Sequence, residues 1–196
     1  MGYVPDGPYV LNSGDHANES LELLALNDLG FLEQQLGIRR KKDKGKKEVS
    51  EITKHLEWEL EILKNVKPTA ICPICESRTV RYFMIQTIGE YTRTDENHMC
   101  CLGCRDKLLE KAQFENPTLI PLAFPAMKRF YRYNYKKRRL IPGPTIKKIK
   151  KIFKKAFGIE KVNRKTMFEW LKKESRPITL SRFSIDLEGI QQVIRY

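Results

Sequence analysis

The sequence predicts an α+β protein made of N-terminal helices, a small cysteine-containing module with a β-hairpin and a helix, and a C-terminal helical domain. Three observations support this division. Apolar residues recur at helical spacing through 48–66. A run of strand-forming residues, 79–88, lies between two pairs of cysteines. Two further helical patterns follow a break at Pro142 to Pro144.

Length and charge limit the classes of protein that fit. The chain has 196 residues, with 37 Lys and Arg against 24 Asp and Glu, so its formal net charge is +13. This length allows one or two small globular domains and excludes a large enzyme barrel. No apolar run approaches the roughly 20 residues of a membrane-spanning helix, and the N-terminus lacks the pattern of a secretory signal. We therefore expect an intracellular protein with no membrane partner.

Residues 1–67 are predicted to form an acidic N-terminal helical region. The first 37 residues hold six acidic side chains and no Lys or Arg. The Leu-rich stretch 18–36 predicts a helix that breaks near Gly30. The basic run 38–47 predicts a solvated linker, with a localisation signal or a phosphate-binding arm as the alternatives. An amphipathic helix follows at 48–66, and Glu59 interrupts its apolar seam.

Four of the five cysteines form two C-x-x-C pairs that are separated by 25 residues. Two tight turns of this kind can direct four thiolates at one tetrahedral ion and leave no coordination position for water. The odd number of cysteines argues against a pair of disulfides. The module 68–117 is therefore expected to bind one structural Zn²⁺ ion. Its predicted ligands are Cys72, Cys75, Cys101 and Cys104.

The residues around the cysteine pairs fit a small zinc-binding fold. Strand formers at 79–88 lead through a turn near Gly89 to a second candidate strand, Tyr91 to Thr94, and a helix at 105–112 begins at the second pair. This order resembles the treble-clef class of zinc fingers; without the helix it would be a zinc ribbon. Cys100 is interpreted as a spare thiol, although Cys100 or His98 replacing a ligand stays open.

An enzymatic role is the weaker interpretation. Some treble-clef endonucleases carry a histidine base and a second metal-binding side chain beside the structural zinc. This module offers only His98 and Asn97 for such a pair, and the chain contains no phosphate-binding glycine loop. We therefore assign no catalytic residue and keep a metal-dependent nuclease as an alternative.

Basic residues are concentrated after the cysteine module. Between Met127 and Lys155 there are thirteen Lys or Arg and no carboxylate, a charge density that favours an anionic partner. Within the Pro-containing connector 118–144, residues 130–139 interleave aromatic rings with cations, which suits phosphate neutralisation and base stacking. The alternative is that these tyrosines are core anchors. Nucleic acid is the expected partner, with DNA preferred over RNA.

The segment 145–196 reads as two helices joined at Gly158. The first places Ile149, Ile152 and Phe153 on one face and lysines on the rest, and the second spans 166–173. This pattern resembles the winged helix-turn-helix of the excisionase and MerR-type DNA-binding families. The resemblance implies a β-wing from Arg176 onward, then a closing helix. A basic helical hairpin that only packs is the alternative.

In that family the second helix enters the major groove, so the resemblance implies groove contacts for Asn163, Arg164, Lys165, Thr166, Glu169, Lys172 and Lys173, and phosphate contacts for Arg176 and Arg182. With the connector and the first helix, the predicted nucleic-acid-binding residues are Lys128, Arg129, Arg132, Tyr133, Tyr135, Lys136, Lys137, Arg138, Arg139, Lys147, Lys148, Lys151, Arg164, Lys165, Lys172, Lys173, Arg176 and Arg182.

These observations together predict a zinc-containing, duplex-DNA-binding regulatory or recruitment factor, located in the cytoplasm or at a nucleoid or nucleus. Its acidic N-terminal helices would be available to dock a protein partner. An RNA-binding or nucleoprotein-assembly subunit is the main alternative, because the Tyr, Lys and Arg stretch would serve RNA equally well.

Overall fold

A computed structural model of the chain describes residues 3–88, 91–94, 97–111, 117–127 and 143–181. It contains both helices and a small antiparallel sheet, which confirms the α+β class. In chain order the elements are α1 (Leu21–Asn27), α2 (Leu29–Asp43), α3 (Glu51–Asn65), β1 (Tyr82–Ile88), β2 (Tyr91–Arg93), β3 (Met99–Cys100), a 3₁₀ turn (Leu102–Cys104), α4 (Arg105–Lys111), β4 (Pro117–Pro121), α5 (Gly143–Ala156) and α6 (Arg164–Ser181).

The break between α1 and α2 lies at Asp28 rather than at the predicted Gly30. The Asp28 carboxylate accepts a hydrogen bond from the backbone N–H of Phe31 at 3.0 Å and so caps the N-terminus of α2. Gly30 lies inside the first turn of α2. A capping aspartate thus decides where the chain changes direction, and the glycine is tolerated in the helix.

The basic run 38–47 differs from the expected linker, because α2 continues through it to Asp43. The Asp43 side chain is buried and ties the end of α2 to the start of α3. Its Oδ2 accepts hydrogen bonds from Ser50 Oγ at 2.6 Å and Thr53 Oγ1 at 2.7 Å, and Lys46 Nζ donates to Oδ1 at 3.0 Å. One carboxylate therefore links the end of α2 to the start of α3.

The predicted hairpin is present, and β1 is the central strand of the sheet. Along one edge β1 pairs with β2 and then with β3, and along the other edge it pairs with β4, in each case antiparallel. Tyr82 of β1 lies opposite Cys100 of β3 and Pro121 of β4. Within the predicted Pro-containing connector, β4 ends at Pro121 and a helical turn covers 124–127.

A single hydrophobic core runs through the described part of the chain. The ring of Phe153 on α5 packs edge-on against Phe83 of β1 and against Phe124, with centroid distances of 5.9 and 5.7 Å. On α6, the Phe168 ring lies 5.9 Å from that of Trp58 on α3. The C-terminal helices are therefore packed both on the sheet and on the N-terminal helices.

The predicted β-wing is wrong for the residues that the structure describes. Helix α6 continues through Arg176 to Ser181, where the wing was expected to begin. A wing strand would need a partner strand, and within the described residues the sheet strands pair only with one another. Extending an existing helix instead adds one backbone hydrogen bond for each residue fixed, except at Pro177, which has no N–H to donate. The remainder of the predicted wing and closing helix, 182–196, lies outside the described residues.

The first testable consequence concerns the core contact between α5 and the sheet. Replacing Phe153 by Ala removes a fully buried ring, so we expect the free energy of unfolding to fall by about 3–5 kcal/mol. Chemical denaturation measures this change. Lys155→Ala, at an exposed position of the same helix, should change it by less than about 0.5 kcal/mol. If Phe153→Ala lowered the free energy of unfolding by less than about 1 kcal/mol, the packing of the Phe153 ring against the sheet would be contradicted.

The second consequence concerns Asp43 and pH. Hydrogen bonds from Ser50, Thr53 and Lys46 hold the pKa of Asp43 well below its usual range. A carboxyl with a lowered folded-state pKa stabilises the protein above its unfolded pKa, about 3.9, and loses that contribution as the pH falls through the folded value. We therefore expect Asp43→Asn to be less stable than wild type at pH 6.

The same difference should shrink progressively as the pH is lowered below about 4, and urea denaturation at a series of pH values measures it. Asp6→Asn, at an exposed position, is the matched control and should show little difference at any pH. If the difference in free energy of unfolding between wild type and Asp43→Asn stayed constant from pH 6 downward, the Asp43 carboxylate would not have this stabilising role.

Candidate metal centre

The first cysteine pair is held by a tight turn immediately before the sheet. An antiparallel bridge joins Ile71 to Thr79, and the backbone N–H of Cys72 donates to the carbonyl of Arg78 at 2.7 Å. Glu76 has a left-handed backbone conformation with φ of 53° and donates its N–H to the carbonyl of Cys72 at 2.9 Å. This turn brings the Cys72 and Cys75 side chains to the same side.

The second pair lies between β3 and α4. Cys101 precedes the 3₁₀ turn, and the N–H of Cys104 donates to the carbonyl of Cys101 at 3.2 Å. The N–H of Arg81 donates to the carbonyl of Cys100 at 2.7 Å, so the start of β1 and the end of β3 are tied together. Sheet pairing therefore brings the two cysteine pairs side by side although 25 residues separate them.

The four sulfur atoms have the geometry of a metal site. The Sγ atoms of Cys72, Cys75, Cys101 and Cys104 all lie within 4.8 Å of one another, and those of Cys75 and Cys101 are 3.8 Å apart. A tetrahedral ion with metal–sulfur bonds of about 2.3 Å requires sulfur–sulfur separations of about 3.8 Å. These four cysteines, as the spacing predicted, can hold one metal ion.

The surroundings favour thiolate at the most accessible sulfur. Hydrogen bonds from the side chain and then the backbone of Ser77 lower the pKa of the half-buried Cys75 thiol to about 6. Burial, followed by hydrogen bonding among the clustered sulfurs, raises the pKa of Cys104 to about 12. A metal ion displaces these thiol protons, because thiolate is the ligand form of cysteine.

Cys100 and His98 do not belong to the four-sulfur group. Cys100 is fully buried on β3, and burial raises the pKa of its thiol to about 11, so it behaves as a neutral core side chain. His98 lies in the segment before β3, outside both groups of metal-type ligands found among the described residues. The interpretation of Cys100 as a spare thiol agrees with this arrangement.

The structure describes only part of the predicted nucleic-acid-binding set. The side chains of Lys147, Lys148 and Lys151 on α5, and of Arg164, Lys165 and Lys173 on α6, are exposed. Arg176 lies within α6. The remaining predicted contacts, which lie outside the described residues, are Lys128, Arg129, Arg132, Tyr133, Tyr135, Lys136, Lys137, Arg138, Arg139 and Arg182.

Some side chains assigned to the major groove also have partners within the described part of the chain. Asn163 and Thr166 cap α6 reciprocally: the N–H of Thr166 donates to Asn163 Oδ1 at 2.9 Å, and the N–H of Asn163 donates to Thr166 Oγ1 at 3.1 Å. The ammonium group of Lys172 lies 5.8 Å from the centroid of the Phe168 ring. Arg164 donates to the carbonyl of Asn18 at 3.1 Å.

Two features of the sites were not predicted from the sequence. Ser77, two residues after the first cysteine pair, supplies hydrogen bonds to a ligand sulfur. A second group of metal-type ligands, Glu22, His55 and Glu59, lies in the N-terminal helices. Its signal was Glu59 on the apolar seam of a predicted helix, one turn after a histidine.

Comparisons with known proteins give no assignment for this chain. No protein-family model, curated protein or solved structure matches it. Among the described residues, no helix has both the length and the apolar character needed to cross a bilayer. The function is therefore inferred from the geometry and charge of the chain itself.

The cysteine site gives a direct prediction. Cys104→Ser removes one of four thiolates, so we expect the protein to lose the bound ion and the amides of β1 and β3 to exchange faster with solvent. Metal content by mass spectrometry and hydrogen exchange measure the two effects. Cys100→Ala, beside the site but outside the ligand group, should keep the ion. Equal metal content at the four-sulfur site in both variants would disprove this ligand set.

Proposed function

We propose that this protein is a zinc-stabilised nucleic-acid-binding protein that contacts duplex DNA through the exposed lysines of α5 and the basic residues of α6. The observation that carries the proposal is the charge of α5. This helix contains six lysines and no carboxylate, and its apolar side chains Ile149, Ile152 and Phe153 are buried. Its outer face is therefore uniformly cationic.

Zinc is the ion that this ligand set favours. Four thiolates in tetrahedral arrangement are typical of structural zinc sites, and the closed coordination leaves no position for a substrate or a reactive water. The ion would supply folding free energy to a small sheet, because such sites are rarely preformed without metal. Its role is to fix the scaffold on which α5 packs.

The positive charges on the outer face of α5 destabilise the folded state unless an anion neutralises them. Lys147, Lys148, Lys151 and Lys155 are exposed on adjacent turns, so their mutual repulsion opposes folding. Lys150 is turned inward, where it donates to Asn27 Oδ1 at 2.9 Å and burial lowers its pKa. A polyanion laid along α5 would relieve the repulsion among the outer lysines.

Duplex DNA fits this face better than single-stranded RNA. The 14 residues of α5 span about 21 Å, and a DNA duplex presents one phosphate charge for about every 1.7 Å of its axis. Recognition of single strands depends instead on exposed rings that stack on bases. Between 146 and 175 the aromatic side chains are all buried: Phe153, Phe157, Phe168 and Trp170.

Salt dependence tests the phosphate contacts. For six to ten contacts, we expect affinity for duplex DNA to fall by about 10³ to 10⁵ between 50 and 200 mM salt. Replacing Lys147, Lys148 and Lys151 together by Ala should reduce the slope of log affinity against log salt by about 0.9 for each phosphate that the variant no longer neutralises. Fluorescence anisotropy at a series of salt concentrations measures both quantities.

The matched control replaces three exposed lysines elsewhere, Lys54, Lys64 and Lys67, and so removes the same net charge. This control should keep most of the wild-type slope. Equal slopes for the two triple variants would mean that α5 is not the contact surface. In competition, duplex DNA should displace single-stranded RNA more effectively than the reverse; the opposite order would favour an RNA-binding subunit.

A further inference from the structure

Three buried polar side chains meet where the first and third helices cross. Glu22 lies in the first turn of α1, and His55 and Glu59 lie one turn apart on the same face of α3. The side chains of Glu22 and His55 are 0% and 2% exposed, and Glu59 is 0% exposed. Two carboxyl groups and an imidazole are thus enclosed in the helical core, apart from the cysteine site.

The three groups are close enough to share one ligand. A potential ligand atom from each lies within 4.8 Å of those of the other two, and His55 Nε2 lies 2.7 Å from Glu22 Oε1. The backbone N–H of Tyr9 also donates to Glu22 Oε1, at 3.2 Å. The His55 ring is packed edge-on between Tyr9 and Trp58, with centroid distances of 5.7 and 5.5 Å. These contacts fix the positions of Glu22 and His55.

The remaining oxygen atoms lack partners. Among the described residues, neither Glu59 Oε1, Glu59 Oε2 nor Glu22 Oε2 has a hydrogen-bond partner. Burial, and then the nearby Glu22 carboxylate, raises the pKa of Glu59 well above its usual value. Isolated carboxylates in an apolar interior are strongly unfavourable, so buried charges are normally paired or coordinate a metal. Glu59 otherwise occupies a position that an apolar side chain would fill.

We propose that Glu22, His55 and Glu59 bind a divalent transition-metal ion, Zn²⁺ in the first instance, as a second, structural metal site. Two carboxylates and a neutral imidazole carry a charge of −2, which a divalent cation balances. Nitrogen and oxygen donors of this kind suit zinc at about 2.0–2.2 Å, distances that place tetrahedral donors about 3.3–3.6 Å apart. The 2.7 Å separation of His55 Nε2 and Glu22 Oε1 would open by about 0.6–0.9 Å to admit the ion.

Because all three ligands are buried, the ion would have a structural role. With no exposed ligand, the metal acts as a cross-link that ties α1 to α3, and any fourth donor is a second carboxylate oxygen or a water. Helix α1 has only seven residues, too few to be stable alone, so a bond to α3 would fix its position. A carboxyl–carboxylate pair sharing a proton, with no metal, is the competing state that an experiment must separate.

The test is the zinc content of the full-length chain after dialysis against Zn²⁺ and removal of loosely bound ions. We expect wild type to hold two ions and Glu59→Gln, which keeps the side-chain shape, to hold one. Glu51→Gln, at an exposed position of the same helix, is the matched control and should hold two. Wild type and Glu59→Gln with equal zinc content would overturn the proposal.

Cobalt substitution separates this site from the cysteine site. Cobalt bound by thiolates gives intense charge-transfer absorption, which Glu59→Gln should retain and Cys104→Ser should lose. Wild type with one ion and full thiolate absorption would reject the second site and leave the first intact.

Melting temperature gives a readout that does not require counting ions. Zn²⁺ should raise the melting temperature of wild type more than that of Glu59→Gln, because only wild type gains the second ion. If the proton-sharing state is correct, Glu59→Gln removes a buried ionisable group with no metal to lose, and Zn²⁺ shifts both proteins equally. That equal shift would also overturn the proposal.

Discussion

The structure depends on one constraint: the sulfur atoms of four cysteines must lie close enough together to bind the same metal ion. The two pairs are far apart in sequence, and each is held locally by a turn. The antiparallel pairing of β1 with β3 brings them together, because Tyr82 lies opposite Cys100, one residue before the second pair. An ion at this point would in return lock the register of the sheet, since slipping β1 by one residue would separate the sulfurs.

That constraint extends to the helices through backbone hydrogen bonds and aromatic packing. The N–H groups of Thr69 and Ala70, just before the first cysteine pair, donate to the carbonyl of Ala156 at 2.8 and 3.1 Å, so the end of α5 is attached to the metal module. Gly158 follows with φ of 65°, and a Cβ there would lie 3.3 Å from Thr69 Oγ1. The cationic helix is thus positioned by the same segment that presents Cys72.

The sequence predicted the parts of the fold that local spacing determines. The two cysteine pairs, the hairpin of β1 and β2, and α4 follow from patterns within about 40 residues. The α2–α3 connection was predicted less well, because a run of cations suggested a linker while one buried carboxylate, Asp43, holds it in place. The start of α2 was misplaced because a glycine is a more visible signal than the capping role of Asp28.

Long-range packing accounts for the other differences. The expected wing beginning at Arg176 is helical to Ser181, and the preceding part of α6 buries Phe168 against Trp58 of α3, a contact between residues more than 100 positions apart. Glu59 was noted only as an interruption of an apolar seam. His55 lies one turn before it on α3, but Glu22 comes from α1, and only the folded chain brings Glu22 to this pair.

Zinc-edge X-ray absorption of the purified full-length protein tests the central claim most directly. We expect a shell of sulfur atoms at about 2.3 Å that is present in wild type and absent from Cys104→Ser. A metal-free protein that keeps its sheet, or bound zinc surrounded only by nitrogen and oxygen, would contradict that claim.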